Sequence, residues 1–149
     1  MNLREQIDQL KYVFLTDIGE PEANTLRIVI HEGRITDETE TIEIGAATIT
    51  DVHSIVWDET SLAYEITFPN YVAYAVLNES FANVDKYEEY TGQFFRTYSR
   101  SHFLDYVGVA TFASDDYPGK STHYEIPCLD HIVEVICVGE PRIRDLTRA

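Results

Sequence analysis

The stretch DVHSIVWDETSLAYEITFPNYVAYAVL, residues 51–77, decides the fold class of this chain. Three runs rich in Ile, Val, Tyr, Phe and Trp lie in it, Asp51 to Trp57, Leu62 to Phe68 and Tyr71 to Leu77, parted by Asp58-Glu59-Thr60-Ser61 and by Pro69-Asn70. β-Branched and aromatic side chains suit a pleated surface, and the polar breaks between the runs read as turns. The expectation is a three-stranded meander over 51–77. With Trp57 facing Leu62 and Phe68 facing Tyr71, the period of two places His53, Ile55, Trp57, Tyr64, Ile66, Phe68 and Leu77 on a core face. Val52, Val56, Glu65, Val72, Tyr74 and Val76 fall on the opposite, mixed face.

Toward the C-terminus, His123 to Cys128 and His131 to Val138 flank Leu129-Asp130 and form a hairpin over 122–138. Pairing Cys128 with His131 sets Ile126 opposite Val133, Tyr124 opposite Val135 and Glu125 opposite Glu134. Ser101 precedes Phe103, Leu104, Val107 and Ala110 at helical spacing, and serine is a favoured N-cap, so a helix is expected over about 101–111. Gln93 to Tyr98 reads as another strand. Asn78 to Tyr90, with Phe81, Val84 and Tyr87 three apart, reads as a short helix or an irregular crossing.

Toward the N-terminus, Leu3, Ile7, Leu10 and Phe14 form one apolar stripe, which predicts an amphipathic helix over about 2–16 that stops before Gly19-Glu20-Pro21. Arg4, Glu5, Asp8 and Gln9 face away from that stripe. Leu26 to His31 and Glu40 to Ile44 read as strands around a loop, Glu32 to Thr39, that turns on Gly33. The whole reads as an α+β fold, mainly antiparallel sheet, in a single domain over 1–149, since no repeat or linker divides the chain.

The 149 residues hold 11 Lys+Arg against 26 Asp+Glu, a formal net charge of −15, and 44% of them are hydrophobic. That apolar share is enough for a packed core, unlike the share in an acidic disordered tail. A surface this negative repels phosphate backbones and anionic headgroups, which argues against nucleic acid and membrane surfaces as partners. The opening MNLREQIDQL carries charges where a signal peptide needs an apolar run, and no long apolar span follows, so a cytoplasmic location is expected. Cys128 and Cys137 sit in no metal-ligand spacing and read as two free buried thiols, too far apart along the hairpin to bridge. No GxGxxG, Walker A, HExxH or EF-hand pattern occurs, and no cofactor is expected.

The charge is unevenly spread. Between Arg34 and Lys86 there is no Lys or Arg, while the acids there include Asp37, Glu38, Glu40, Glu43, Asp58 and Glu59. These six are the partner-binding candidates, because a one-sign surface speeds and orients encounter with a basic protein. Tyr64, Tyr74 and Tyr117 are candidate aromatic anchors beside them. The plain alternative is that such charge serves only solubility.

His123, Glu125 and Glu134 are the candidate catalytic residues of a rival reading, a small metal-assisted or acid/base enzyme. Like charges opposite one another on neighbouring strands are unfavourable, so solvent, an arginine, a metal or a partner must relieve Glu125 and Glu134. Glu65 beside Tyr74 reads as a base with a hydroxyl partner or as an ordinary cross-strand pair. His53, opposite Ile66, reads as a satisfied core imidazole. Ser99, Ser101 and His102 lack a nucleophile elbow, which favours Ser101 as a plain N-cap. A third reading is a homodimer that pairs Val52, Val56, Val72 and Val76 about a two-fold axis.

An opening helix, an acidic meander ending in Tyr71-Val72-Ala73-Tyr74, a helix Ser101-His102-Phe103-Leu104-Asp105-Tyr106 and a closing His123-Tyr124-Glu125-Ile126 hairpin succeed one another along the chain. This layout resembles small acidic bacterial α+β proteins of the toxin-immunity type, which neutralise basic toxin nucleases. The resemblance implies a non-enzymatic binding role with a basic protein partner, and it carries over no site residue.

Overall fold

The computed structural model describes residues 1–83 and 85–148; Val84, part of the spacing read over 78–90, and Ala149 lie outside the described residues. The first helix, α1 (Leu3–Asp8), begins at a capping box: the Asn2 side chain accepts from the Glu5 N–H and the Glu5 carboxylate accepts from the Asn2 N–H. It ends at Gln9 and does not reach residue 16. Val13, Phe14 and Leu15 pair instead with Glu32, His31 and Ile30, so that β1 (Val13–Glu22) and β2 (Thr25–Glu32) form a hairpin. A non-local ladder has taken the last turns of the expected helix. Gly19-Glu20-Pro21 therefore lies inside β1, and the chain reverses at Ala23-Asn24, where Asn24 takes φ 62°.

The remaining elements are β3 (Arg34–Ile44), β4 (Ala47–Val56), β5 (Ala63–Phe68), β6 (Tyr71–Asn78), a 3₁₀ turn (Glu79–Phe81), β7 (Glu89–Thr91), β8 (Arg96–Arg100), α2 (His102–Ala110), β9 (Ser121–Pro127), β10 (His131–Val138) and β11 (Arg142–Asp145). They form three antiparallel sheets, ordered β1-β2-β5-β11, β6-β10-β9-β8-β7 and β3-β4. The structure is thus α+β and mainly antiparallel sheet, with a helix near the N-terminus. The strands of 51–77 are present, but they do not form a meander: β4, β5 and β6 belong to three different sheets. Alternation marks a run as a strand without naming its partner. β5, with Ala63, Tyr64, Ile66 and Phe68 buried, is taken between β2 and β11, while β4 finds only β3. His53, Trp57 and Leu77, expected on a core face, are exposed.

The stretch Glu32 to Thr39 is mostly strand, not loop. Gly33 has no positive φ there; it is needed because a Cβ would stand 2.6 Å from Phe14 Cε2 and 2.8 Å from Ile55 Cγ2. Gln93 to Tyr98 contributes only its end to β8, and the named elements within 78–90 are the last residue of β6, the 3₁₀ turn Glu79–Phe81 and the start of β7. Helix α2 follows Ser101 as read.

The core lies between the four- and five-stranded sheets. Leu26, Ile28 and Ile30 of β2 and Tyr64, Ile66 and Phe68 of β5 pack with Tyr124 and Ile126 of β9 and Val133 and Val135 of β10, and Ile7 of α1 joins them. Each such side chain contributes about 1.5 to 3 kcal/mol by leaving water. The register of β9 on β10 is the one read from the sequence, Ile126 opposite Val133, Tyr124 opposite Val135 and Glu125 opposite Glu134. With those partners facing the core, the period of two turns His123, Glu125 and Glu134 to the other face, beside α2. Among the described residues no helix is long and apolar enough to cross a membrane.

Candidate functional site

His123, Glu125 and Glu134 converge. One potential ligand atom from each lies within 4.8 Å of the others, and the residues are only 0%, 7% and 8% exposed. Neighbouring strands complete the setting. Tyr98 of β8 pairs with His123 and stacks on its ring at 4.5 Å, and Phe103 of α2 meets the ring edge-on at 5.4 Å. Ser101, the N-cap of α2, accepts from the Leu104 N–H at 3.0 Å and shares a 2.7 Å hydrogen bond with His123 Nδ1. Arg96, opposite Glu125 on β8, donates to Glu125 Oε1 at 3.2 Å.

Nε2 of His123 is the one buried side-chain polar atom among the described residues without a hydrogen-bond partner, and Glu134 Oε1 stands 3.5 Å from it. Burial holds the imidazole neutral, with a pKa pulled down to about 4. Burial, and then the facing Glu134 carboxylate, push Glu125 up to about 7; burial also raises Glu134. Burial and the carboxylate opposite thus disfavour ionising Glu125 and Glu134 together, while Arg96 favours the charged form of Glu125. Glu125 and Arg96 also line a groove of about 420 Å³ with Phe94, Pro127, Cys128 and Ile132. An acid beside a neutral imidazole and an open groove can transfer protons or bind a cation.

The acidic candidates occupy a different part of the molecule. Asp37, Glu38, Glu40 and Glu43 lie on β3, exposed, and among the described residues none of the four forms an ion pair. β3 and β4 form a two-stranded ribbon whose end carries the cross-strand pair Ile42 and Ile49, 38% and 46% exposed, beside the 62% exposed Ile44. Gly45, at φ 59°, makes the ribbon's turn. Asp58 and Glu59 sit beyond the other end of β4, paired with Arg34 at 3.1 Å and Arg148 at 3.5 Å. Hydrogen bonds from Thr60, and then Arg34, hold Asp58 down at about 2.

Other groupings dissolve. Glu65 on β5 binds Arg27 and Arg144, while Tyr74 on β6 reaches Glu20 at 3.3 Å. His53 bonds Thr36 O from an exposed position, His102 pairs with Asp85, and Ser99 donates to Glu89 O. Val52 and Val56 lie on β4 and Val72 and Val76 on β6, so the four valines share no sheet face. Tyr64 is buried and Tyr74 half-buried, whereas Tyr117 is exposed. Cys128 and Cys137 are free and buried, and burial raises their thiols to about 12 and about 11. Sequence reasoning missed Arg96 and Tyr98 because the register of β8 on β9 is non-local; Ser101 was legible as a cap but not as the partner of His123.

The chain matches no family model, no curated protein and no solved structure.

Proposed function

We propose that this is a non-enzymatic binding protein of the toxin-immunity kind, whose β3–β4 ribbon docks a basic protein partner. The observation that carries the reading is the ribbon itself, whose strand β3 carries four exposed acids without an ion pair among the described residues and the exposed Ile42 that pairs with Ile49. A two-stranded ribbon is marginal in water without a covering surface. An apolar centre rimmed by one sign of charge is the usual anatomy of a protein contact, in which charge orients the partner and the buried centre holds it. The chemistry asked of the partner is therefore Lys and Arg around an apolar patch. A cytoplasmic place belongs to the same proposal, supported by two unbridged cysteines.

Affinity capture from lysate at low and high salt tests it, with wild-type protein beside a Glu38→Gln, Glu40→Gln, Glu43→Gln variant. A basic protein retained at low salt, released at high salt and lost by the variant is the expected result. Unchanged recovery by the variant would sink the reading.

A further inference from the structure

We infer that His123, Glu125 and Glu134 form a binding site for one divalent transition-metal ion of the zinc or manganese kind. Acidic clusters alone are common, but this one has a buried imidazole nitrogen aimed into it. Nε2 of His123, on a residue with no exposed surface, has no hydrogen-bond partner and faces Glu134 Oε1 at 3.5 Å. Orphaned buried polar atoms in folded proteins call for an explanation, and an imidazole nitrogen beside Glu134, with Glu125 within the same 4.8 Å cluster, has the form of a ligand set.

The distances agree. Three atoms no more than 4.8 Å apart have a common point within roughly 2.8 Å of each, that is 4.8 Å divided by √3, and contraction by less than about 1 Å reaches the 2.0 to 2.2 Å usual for zinc with N and O ligands. With Arg96 paired to Glu125, two carboxylates and a neutral imidazole, the site carries −1 without an ion and +1 with a 2+ ion, so the ion replaces one uncompensated buried charge by one of opposite sign beside a half-exposed groove edge. One nitrogen with two carboxylate oxygens suits zinc or manganese better than magnesium or calcium, which take all-oxygen shells.

The surroundings fit the role. Ser101 Oγ at 2.7 Å takes the Nδ1–H of the ring in the tautomer that frees Nε2 for the ion, and Tyr98 and Phe103 fix the ring plane. Arg96 engages Oε1 of Glu125 at 3.2 Å. The groove lined by Arg96, Glu125 and Pro127 reaches the Glu125 edge of the cluster. This site is separate from the β3–β4 ribbon, and its test does not depend on any protein partner.

The test uses the full chain, stripped with chelator and titrated with zinc chloride or manganese chloride by calorimetry, and with cobalt chloride by visible spectroscopy. One equivalent is expected to bind, to raise the melting temperature and, for cobalt, to give a ligand-field band. Glu134→Gln keeps the shape and relieves the like charges, so it should fold with an unchanged or higher metal-free melting temperature, whereas Glu125→Gln gives up the Arg96 ion pair and should melt lower; each should weaken binding at least tenfold. Absence of stoichiometric uptake of any of the three ions overturns the inference. So does uptake that persists in the double variant, which places the ions on the acidic surface.

Discussion

Ser101 Oγ and His123 Nδ1, 22 positions apart in sequence, are joined by a buried 2.7 Å hydrogen bond, and the same oxygen accepts the N–H that opens α2. One hydroxyl thus ties the helix to the second face of the five-stranded sheet. Ser101→Ala loses a cap, worth about 1 kcal/mol, and strips a buried imidazole of its partner, worth about 1 to 3 kcal/mol more. Urea denaturation should show a loss of about 2 kcal/mol or more, largely restored by Ser101→Thr. A loss below about 0.5 kcal/mol contradicts the shared role.

Asp8 does for α1 what Ser101 does for α2. Its Oδ1 accepts the N–H groups of Gln93, Phe94 and Phe95 at 2.9, 2.8 and 2.8 Å, pinning the helix end to the turn before β8. Asp8→Ala leaves these donors unmatched, and Phe94 and Phe95 are partly or fully buried. A destabilisation of about 1 to 3 kcal/mol is expected, with faster amide exchange at 93–95 than elsewhere in the sheet.

The same turn needs Gly92. It adopts φ 91°, and a Cβ there would run into the carbonyl of Phe95. Gly92→Ala should cost about 1 to 3 kcal/mol in thermal or chemical unfolding, whereas Gly108→Ala, which meets nothing in α2, should be neutral or slightly stabilising.

Glu65 links three strands, accepting from Arg27 Nε at 2.6 Å and from Arg144 at 3.0 Å. Arg144, and then Arg27, hold its carboxyl below the usual range. A depressed folded-state pKa contributes stability above the unfolded value, near 4.5, and that contribution is lost as pH falls through the folded value. Glu65→Gln should therefore cost about 1 kcal/mol at pH 7, discounted for the exposed Arg144, and less at pH 3, below the unfolded value. Equal losses at both pH values in urea titrations would show that the charge is not what matters.

Local patterns were legible where the partner lay close in sequence. Leu129-Asp130 sets the register that puts Glu125 opposite Glu134, and Ser101 marks the start of α2 within a turn of its apolar stripe. The stripe Leu3, Ile7, Leu10, Phe14 misled, because Phe14 has as strong a use in a ladder with His31 as in a helix. The acids of β3 read correctly as exposed. Those of β9 and β10 are buried, which the sequence left open among solvent, an arginine, a metal and a partner.

By itself the sequence determined the strand-forming runs of 51–77, the hairpin of β9 and β10, the N-cap of α2 and the region in which negative charge gathers, since each depends on side-chain period or on neighbours a few residues away. Only the tertiary structure decided that β4, β5 and β6 join three different sheets, and that Arg96, Tyr98 and Ser101 surround His123. Pairing between distant strands is chosen by which faces bury together. A period of two records that a face exists and carries no information about what it meets.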